Sequence, residues 1–202
     1  MWDTWGPLIV AVGFIAFMLG ILVWSSRRRR RALACWQAVA ASIPGMQMRG
    51  PKLCAMDGTI DGMSVSVGVK KKGTSESPSS FTHIVCRIPT PLPQGFALAS
   101  ENLASKLFSA LGGQDHQIGD PDFDRRVRVR ALSADDACRV LANRDIRLAL
   151  ADLLGTTAGL QLLPGGKVNF EERGFIQDPS KLSLAIRNTV RMASLLDQAA
   201  RR

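Results

Sequence analysis

The chain has 202 residues, of which 46% are hydrophobic and 21% are charged, a composition typical of a globular protein and not of a disordered one. The formal net charge of +9 is unevenly placed, because five arginines and one aspartate give residues 1–31 a charge of +4. The remaining residues contribute +5 and are only mildly basic, so the charge does not favour a nucleic-acid-binding protein.

The cysteines and histidines are too widely spaced to predict a metal centre. The cysteines are Cys35, Cys54, Cys86 and Cys138. The only histidines are His83 and His116, and a structural zinc site needs closely spaced Cys or His ligands. We therefore predict no metal and no cofactor. The spacing favours free, mostly buried thiols in a reducing compartment, and His83, which alternates into a predicted strand, is expected to be structural.

The first predicted element is a transmembrane helix over residues 7–24, which read PLIVAVGFIAFMLGILVW and carry no charge. At about 1.5 Å per residue this segment spans about 27 Å, close to the thickness of a hydrocarbon core. Trp2 and Trp5 flank one end and Trp24 lies at the other, as in the aromatic belts of membrane proteins. The lipid bilayer is therefore the first predicted partner.

A run of basic residues follows this segment and predicts its orientation. The run consists of Arg27, Arg28, Arg29, Arg30 and Arg31. A cleavable signal peptide would place its positive charges before the apolar segment. The positive-inside rule puts the N-terminus outside and the rest of the chain in the cytoplasm, which indicates a single-pass protein of a bacterial inner membrane.

A second helix is predicted over residues 32–42, directly after the arginines. Leu33, Trp36 and Ile43 fall on one of its faces, and Pro44-Gly45 ends it. We expect this face to pack on the domain that follows and not on the lipid surface, because the polar face carries little charge. The predicted domains are an anchor over residues 1–31 and a cytoplasmic domain over residues 32–202.

Hairpin-like strands and helices make up the rest of the chain. Strands are predicted over residues 52–60, 63–69, 81–88, 94–99, 123–131, 160–163 and 167–171. Helices are predicted over residues 101–111, 133–141, 145–154 and from Pro179 onward, the last capped by Asp178. Asp61-Gly62 predicts a two-residue hairpin turn, and Lys70–Gly73 is predicted to start a loop. Because strands mostly arrive in hairpins, we predict an α+β fold with an antiparallel sheet and packed helices.

The stretch GDPDFDRRVRVRA, residues 119–131, is the most distinctive in the chain. Its alternating aspartates resemble the start of a calcium loop, but the sixth and twelfth positions are Arg125 and Ala131, where that loop needs glycine and an acid. We interpret the stretch as the entry to a strand, with a turn, carboxylates that accept backbone N–H bonds and a buried aromatic anchor. The residues of this structural motif are Gly119, Asp120, Pro121, Phe123 and Asp124.

Arg126, Arg128 and Arg130 are predicted to share one face of the strand that follows. This face is a candidate surface for an anion or a partner. In one interpretation it binds acidic lipid headgroups or an acidic partner. In the other, favoured here, the arginine stems cover apolar neighbours while cross-strand acids such as Glu171 pair with the heads. Nucleic acid is not expected, because no aromatic residues interleave with the arginines.

This motif, with ANRDIRLALADLLG after the next helix, resembles a family of uncharacterised bacterial single-pass membrane-anchored proteins. In that family a similar D-P-x-F-D-x-x-F-x-V stretch leads into a strand and a helix pair, and Val127 stands where phenylalanine is frequent. The resemblance covers about residues 95–200. It implies the anchor and the domain boundary, and it implies no chemistry.

Three functions remain open from the sequence. The first is a membrane-tethered, non-enzymatic interaction or adaptor domain at the cytoplasmic face of a bacterial membrane, with a protein partner. The second is a binder or sensor of an anionic ligand or lipid that uses the Arg126, Arg128 and Arg130 face. The third is an enzyme whose site is assembled from distant segments. Because no complete catalytic pattern is present, we favour the first and predict no catalytic residues.

Overall fold

The computed structural model describes residues 2–50, 54–73, 79–103 and 114–201, and for residues 2–12, 15 and 114 it describes the backbone alone. The strands are β1 (Met46–Met48), β2 (Met56–Ile60), β3 (Met63–Lys72), β4 (Ser79–Arg87), β5 (Ala97–Ser100), β6 (Gln114–His116), β7 (Val127–Ala131), β8 (Leu160–Leu163) and β9 (Lys167–Arg173). The helices are α1 (Trp2–Ser42), α2 (Pro121–Asp124), α3 (Ala134–Val140), α4 (Arg144–Thr156) and α5 (Pro179–Ala200). Most of the predicted helix over residues 101–111 lies outside the described residues.

The strands form one nine-stranded sheet in the order β1-β2-β3-β4-β9-β8-β5-β7-β6. All neighbouring strands are antiparallel, which confirms the predicted α+β class. The predicted hairpin between β2 and β3 is also confirmed. Asp61 and Gly62 have φ angles of 50° and 77°, the left-handed conformation that a type I′ turn requires at both central positions.

Two parts of the sheet differ from the sequence prediction. Strands β1 and β6 were not predicted, and each has three residues, too few to show a period of two. The predicted loop at Lys70–Gly73 is wrong for its first three residues, because β3 continues to Lys72 and pairs with β4 as far as Ser79. Lys72 is held there by Glu171 of β9, whose carboxylate lies 2.5 Å from Nζ.

Helix α1 is continuous over 41 residues and joins the apolar segment, the arginine run and the predicted helix over residues 32–42. Its C-terminal part belongs to the hydrophobic core, where Trp36 is 0% exposed and Val39 is 1% exposed. The Trp36 indole Nε1 donates a hydrogen bond of 3.0 Å to the Ile176 carbonyl. The expected packing of this helix on the domain is therefore confirmed.

No helix within the described part of the chain is long and apolar enough to cross a membrane. The predicted spanning segment, residues 7–24, lies partly outside that description, because the side chains of residues 7–12 and 15 are not described. The transmembrane helix therefore stays a prediction.

Helix α5 forms the centre of the helical layer over the sheet. The Asp178 carboxylate caps its N-terminus by accepting hydrogen bonds from the backbone N–H groups of Ser180, at 2.8 Å, and Lys181, at 3.3 Å, as predicted. The helix packs on β3, β4 and β9 and against α1 and α4. Fully buried Leu182 and Ile186 lie on this face, where apolar residues at helical spacing meet the inward-facing residues of the strands.

Candidate functional site

The motif at residues 119–124 forms a tight helical turn and not the first part of a strand. Pro121–Asp124 is helix α2, and the strand begins only at Val127, so the predicted start of the strand at Phe123 is wrong. Phe123 is 2% exposed and anchors the turn in the core. Proline fits the first position of a helix because its fixed φ angle is helical and that position needs no N–H bond.

The aspartates of the motif bind backbone N–H groups. Asp120 Oδ1 accepts from Phe123 N at 3.3 Å, which caps the turn and, with the nearby Arg147 guanidinium, holds the pKa of Asp120 below its usual value. Asp124 accepts from the N–H groups of Ile118, at 3.0 Å, and Gly119, at 3.1 Å. Among the residues the structure describes, no group of three His, Cys, Asp or Glu side chains is placed to hold a metal ion.

Each of the three candidate arginines forms an ion pair with a carboxylate of this chain. The pairs are Arg126 with Asp152 at 3.1 Å, Arg128 with Glu101 at 2.7 Å, and Arg130 with Asp115 at 3.1 Å. The Arg128 guanidinium holds the pKa of Glu101 below its usual value by hydrogen bonding. A ligand on this surface would have to displace carboxylates that are already in place.

The register of the sheet places two of these arginines over buried alanines. Arg128 lies opposite Ala99 and Arg130 opposite Ala97, and both alanines are at most 1% exposed. Arg126 lies in the turn before β7, so the structure does not place all three arginines in the strand. Their partners are also not Glu171, which pairs with Lys72.

His83 is half-buried in β4. The His83 ring packs over Gly68, where an added Cβ would lie 2.9 Å from Cε1. Its buried Nδ1 has no hydrogen-bond partner among the described residues, and burial, assisted by nearby Lys70, lowers the pKa of the imidazole. All four cysteines are free. Cys35 and Cys86 are buried, Cys54 is half-buried and Cys138 is exposed, so the expectation of mostly buried thiols holds for two of the four. Burial raises the pKa of Cys86 to about 12, which leaves a neutral thiol at physiological pH.

A cavity of about 1000 Å³ lies between α1 and the chain segment that follows β9. It is lined on one side by Arg28 and Arg29 and on the other by Arg173 and Phe175. A second cavity, of about 540 Å³, adjoins it and shares Arg29, Ser80 and Phe175. Sequence reasoning used Arg28 and Arg29 to predict orientation in the membrane and as support for lipid binding by the Arg126, Arg128 and Arg130 face, and it did not single out Arg173.

Residues 173–176, the floor segment of this cavity, are tied to β4 by hydrogen bonds from its backbone and from the Thr82 side chain. Gly174 N donates to Ser80 O at 2.7 Å. The Thr82 hydroxyl donates to Gly174 O at 2.7 Å and accepts from Ile176 N at 3.2 Å. Thr82 is 0% exposed, so its hydroxyl holds the floor segment in place from inside the protein.

Thr82→Val is expected to lower the free energy of unfolding by about 1–3 kcal/mol, because it leaves the Ile176 N–H buried without its acceptor. Denaturant unfolding of the full-length chain, followed by circular dichroism, measures this loss. Amide exchange at Ile176 should accelerate as well.

The matched control is Thr59→Val, which removes an exposed hydroxyl from β2. This variant should leave the free energy of unfolding nearly unchanged, because exposed β-branched residues suit strands. Equal effects of the two substitutions would show that the Thr82 hydroxyl does not hold the floor segment.

Comparison with protein families, with curated proteins and with solved structures finds no match for this chain. The resemblance of residues 95–200 to bacterial membrane-anchored proteins therefore stays a prediction.

Proposed function

We propose that this protein is a membrane-tethered, non-enzymatic interaction domain, an adaptor held at the cytoplasmic face of a bacterial inner membrane. The observation that carries the proposal is the two-part character of helix α1. One part is exposed and apolar, and the other is buried in the core of the domain.

The exposed part of α1 needs an apolar environment. The large apolar side chains between Leu19 and Trp24, which are interrupted only by Gly20, point in every direction around the helix, and Leu22 and Trp24 are each 63% exposed. Phe17, two turns earlier than Trp24, is 65% exposed. A helix that is apolar all round is stable inside a protein core or a bilayer and not in water. The length of the apolar segment, residues 7–24, suits a bilayer.

The buried part of α1 fixes the domain to this segment without a flexible linker. The helix continues through the arginines into Ala32, Cys35 and Trp36, which are all at most 5% exposed. The five arginines, Arg27–Arg31, favour the cytoplasmic side for the domain. A rigid helix therefore holds one defined edge of the domain near the lipid surface, an arrangement suited to presenting the rest of the domain to a protein partner.

The tether is tested by deleting residues 2–26 and following the chain by cell fractionation. The full-length protein is expected to stay with the membrane pellet after alkaline carbonate extraction, whereas the deletion variant should be soluble. The variant should keep the circular dichroism of the folded domain, because the core contains no residue before Ala32 among those described. Protease added to cytoplasm-out vesicles should digest the domain of the full-length protein.

Two results would contradict the proposal. Release of the full-length chain from the membrane by alkaline carbonate would show that residues 7–24 do not span the bilayer. Protection of the domain in cytoplasm-out vesicles would reverse the orientation. The adaptor role is tested separately by crosslinking in cells followed by mass spectrometry, and failure to recover a reproducible partner would count against it.

The second candidate, an anion sensor that uses Arg126, Arg128 and Arg130, has less structural support. Each of these arginines already pairs with a carboxylate within 3.1 Å. Exposed ion pairs of this kind contribute little to stability, but they neutralise the charge that an incoming anion would need.

A further inference from the structure

The cavity between α1 and the floor segment concentrates positive charge. Three arginines line it, Arg28 and Arg29 from the helix and Arg173 from the end of β9, and no acidic residue is among the described residues that line it. The nearest acids along β9 are engaged elsewhere. Glu171 pairs with Lys72 at 2.5 Å, and Glu172 pairs with Lys181 at 2.7 Å.

The arginines reach the cavity from two separate elements. The Arg28 guanidinium lies 5.5 Å from the centre of the Trp24 ring, and its Nη2 is 3.8 Å from the position that a Cβ on Gly174 would take. Arg28 therefore extends from α1 towards the floor segment. On the opposite side, Arg173 Nη2 donates to Ser79 Oγ at 3.4 Å. The hydroxyl groups of Ser79 and Ser80 also line the cavity, whereas those of Ser25 and Ser26 donate to the helix carbonyls of Leu22 and Val23.

The cavity has an apolar end as well as a basic one. Leu22, Trp24 and Phe175 line it together with the arginines. Leu22 and Trp24 are the last large residues of the apolar segment. Arg28 lies four residues beyond Trp24, which is about 6 Å along a helix. In a tethered chain, the arginines would therefore lie at the depth of the lipid phosphates while the apolar end faces the hydrocarbon boundary.

We propose that this cavity binds the phosphate headgroup of an anionic phospholipid through Arg28, Arg29 and Arg173. Guanidinium groups match phosphate with paired, charge-assisted hydrogen bonds, and the negative inner surface of a membrane supplies such phosphates. The volume of about 1000 Å³ is ample for a headgroup. The choice of a lipid over a free phosphate rests on the proposed membrane tether, because the tether brings the apolar end of the cavity to the bilayer.

Helix geometry offers a sharp control for this proposal. Arg28 and Arg29 share the helix face of Ala32 and Trp36, because residues three or four apart lie on one side. At 100° per residue, Arg27 and Arg30 lie on the opposite side and do not line the cavity. The double variants R28Q/R29Q and R27Q/R30Q therefore lose the same charge from the same basic run, and only the first changes the cavity.

The test titrates the full-length protein, in neutral detergent micelles, with phosphatidylglycerol and with phosphatidylcholine, and bound lipid is counted by native mass spectrometry. The wild-type chain should prefer phosphatidylglycerol. R28Q/R29Q and, independently, Arg173→Gln should weaken that binding by about tenfold or more, the effect of losing charge-assisted hydrogen bonds. R27Q/R30Q should stay within about twofold of the wild type, since a remote charge is screened. Circular dichroism verifies that each variant is folded.

Three outcomes would overturn the assignment. Equal losses in the two double variants would mean diffuse attraction to the basic run and not a cavity. Loss of binding in R126Q/R128Q/R130Q, with R28Q/R29Q unaffected, would move the site to the strand. Displacement of the lipid by inorganic phosphate at equal concentration would make free phosphate the ligand. If the chain is not tethered to the membrane, alkaline carbonate will release it from the membrane pellet. That result does not depend on whether the cavity binds lipid.

Discussion

Trp36→Ala is expected to lower the free energy of unfolding by about 3–5 kcal/mol, the usual cost of truncating a large buried aromatic side chain. Trp36 is fully buried, and its indole N–H is bonded to the Ile176 carbonyl. The substitution therefore opens a cavity between α1 and the sheet and also removes a tie between the helix and the floor segment. Denaturant unfolding of the full-length chain in detergent, followed by circular dichroism, measures the loss.

Two further variants keep this prediction decisive if Trp36→Ala does not fold. Trp36→Phe retains most of the apolar packing but leaves the Ile176 carbonyl without its donor, so a smaller loss of about 1–3 kcal/mol is expected. Trp24→Ala removes a tryptophan from the exposed part of the same helix, where the side chain is 63% exposed. It should leave the unfolding of the domain unchanged. Similar effects at both tryptophans would mean that α1 does not divide into an exposed and a buried part.

Short-range patterns in the sequence predicted most elements of this fold. The Asp61-Gly62 hairpin and the Asp178 cap of α5 each depend on two or three adjacent residues with a specific conformational preference. The antiparallel class followed from these local units. Strands β1 and β6 were not predicted, because three residues carry no periodic signal and form strands only through pairing with β2 and β7.

The motif at residues 119–124 shows why a correct local feature can belong to the wrong element. The turn, the N–H-accepting aspartates and the buried Phe123 were all anticipated from the residue types. Proline followed by Asp122 and Phe123 also suits a single helical turn. The alternation of the later valines led to a predicted strand that begins at Phe123, whereas the observed strand begins at Val127. The sequence predicted two helices where the structure has the single helix α1. A run of arginines is compatible with the interior of a helix as well as with its end, so the sequence could not decide between one helix and two.

The cavity between α1 and the floor segment could not have been predicted from local patterns. Arg28 and Arg173 are far apart in the chain, but both line the cavity. Arg173 reaches it because β9, the last strand, pairs not only with β8 but also with β4, which is distant in sequence. The continuity of α1 then carries Arg28 over the end of that strand pair. Arg27, Arg30 and Arg31 are not among the residues that line the cavity, so the number of arginines in the run does not by itself identify a binding site. The carboxylates that pair with Arg126, Arg128 and Arg130 are likewise not their neighbours in sequence.

Asp197 is expected to make the stability of the domain sensitive to acid. This carboxylate is 5% exposed on α5. It accepts a hydrogen bond from Thr90 N at 3.2 Å and pairs with Arg201 at 2.7 Å. Burial raises its pKa, but the bonds from Thr90 and Arg201 together outweigh burial and hold the pKa below the ordinary value of 3.8. The carboxylate therefore stabilises the folded state above that value, and this contribution is lost as the pH falls through the lower pKa of the folded state.

Asp197→Ala should lower the free energy of unfolding at pH 7 by about 1–3 kcal/mol, because the Thr90 N–H loses a buried acceptor. Asp197→Asn keeps a carbonyl oxygen for Thr90 but loses the charge, so its loss of stability at pH 7 should be measurable yet smaller than that of Asp197→Ala, since Arg201 is 64% exposed and its ion pair is screened. The wild type and Asp197→Asn differ in titration at this one position. The difference between their unfolding free energies, measured from pH 7 to pH 3, therefore isolates Asp197 from the other carboxylates. That difference should favour the wild type at neutral pH and shrink below the ordinary pKa. A difference that stayed constant across this range would mean that the charge of Asp197 does not stabilise the folded state, so that its bond to the Thr90 N–H would not depend on ionisation.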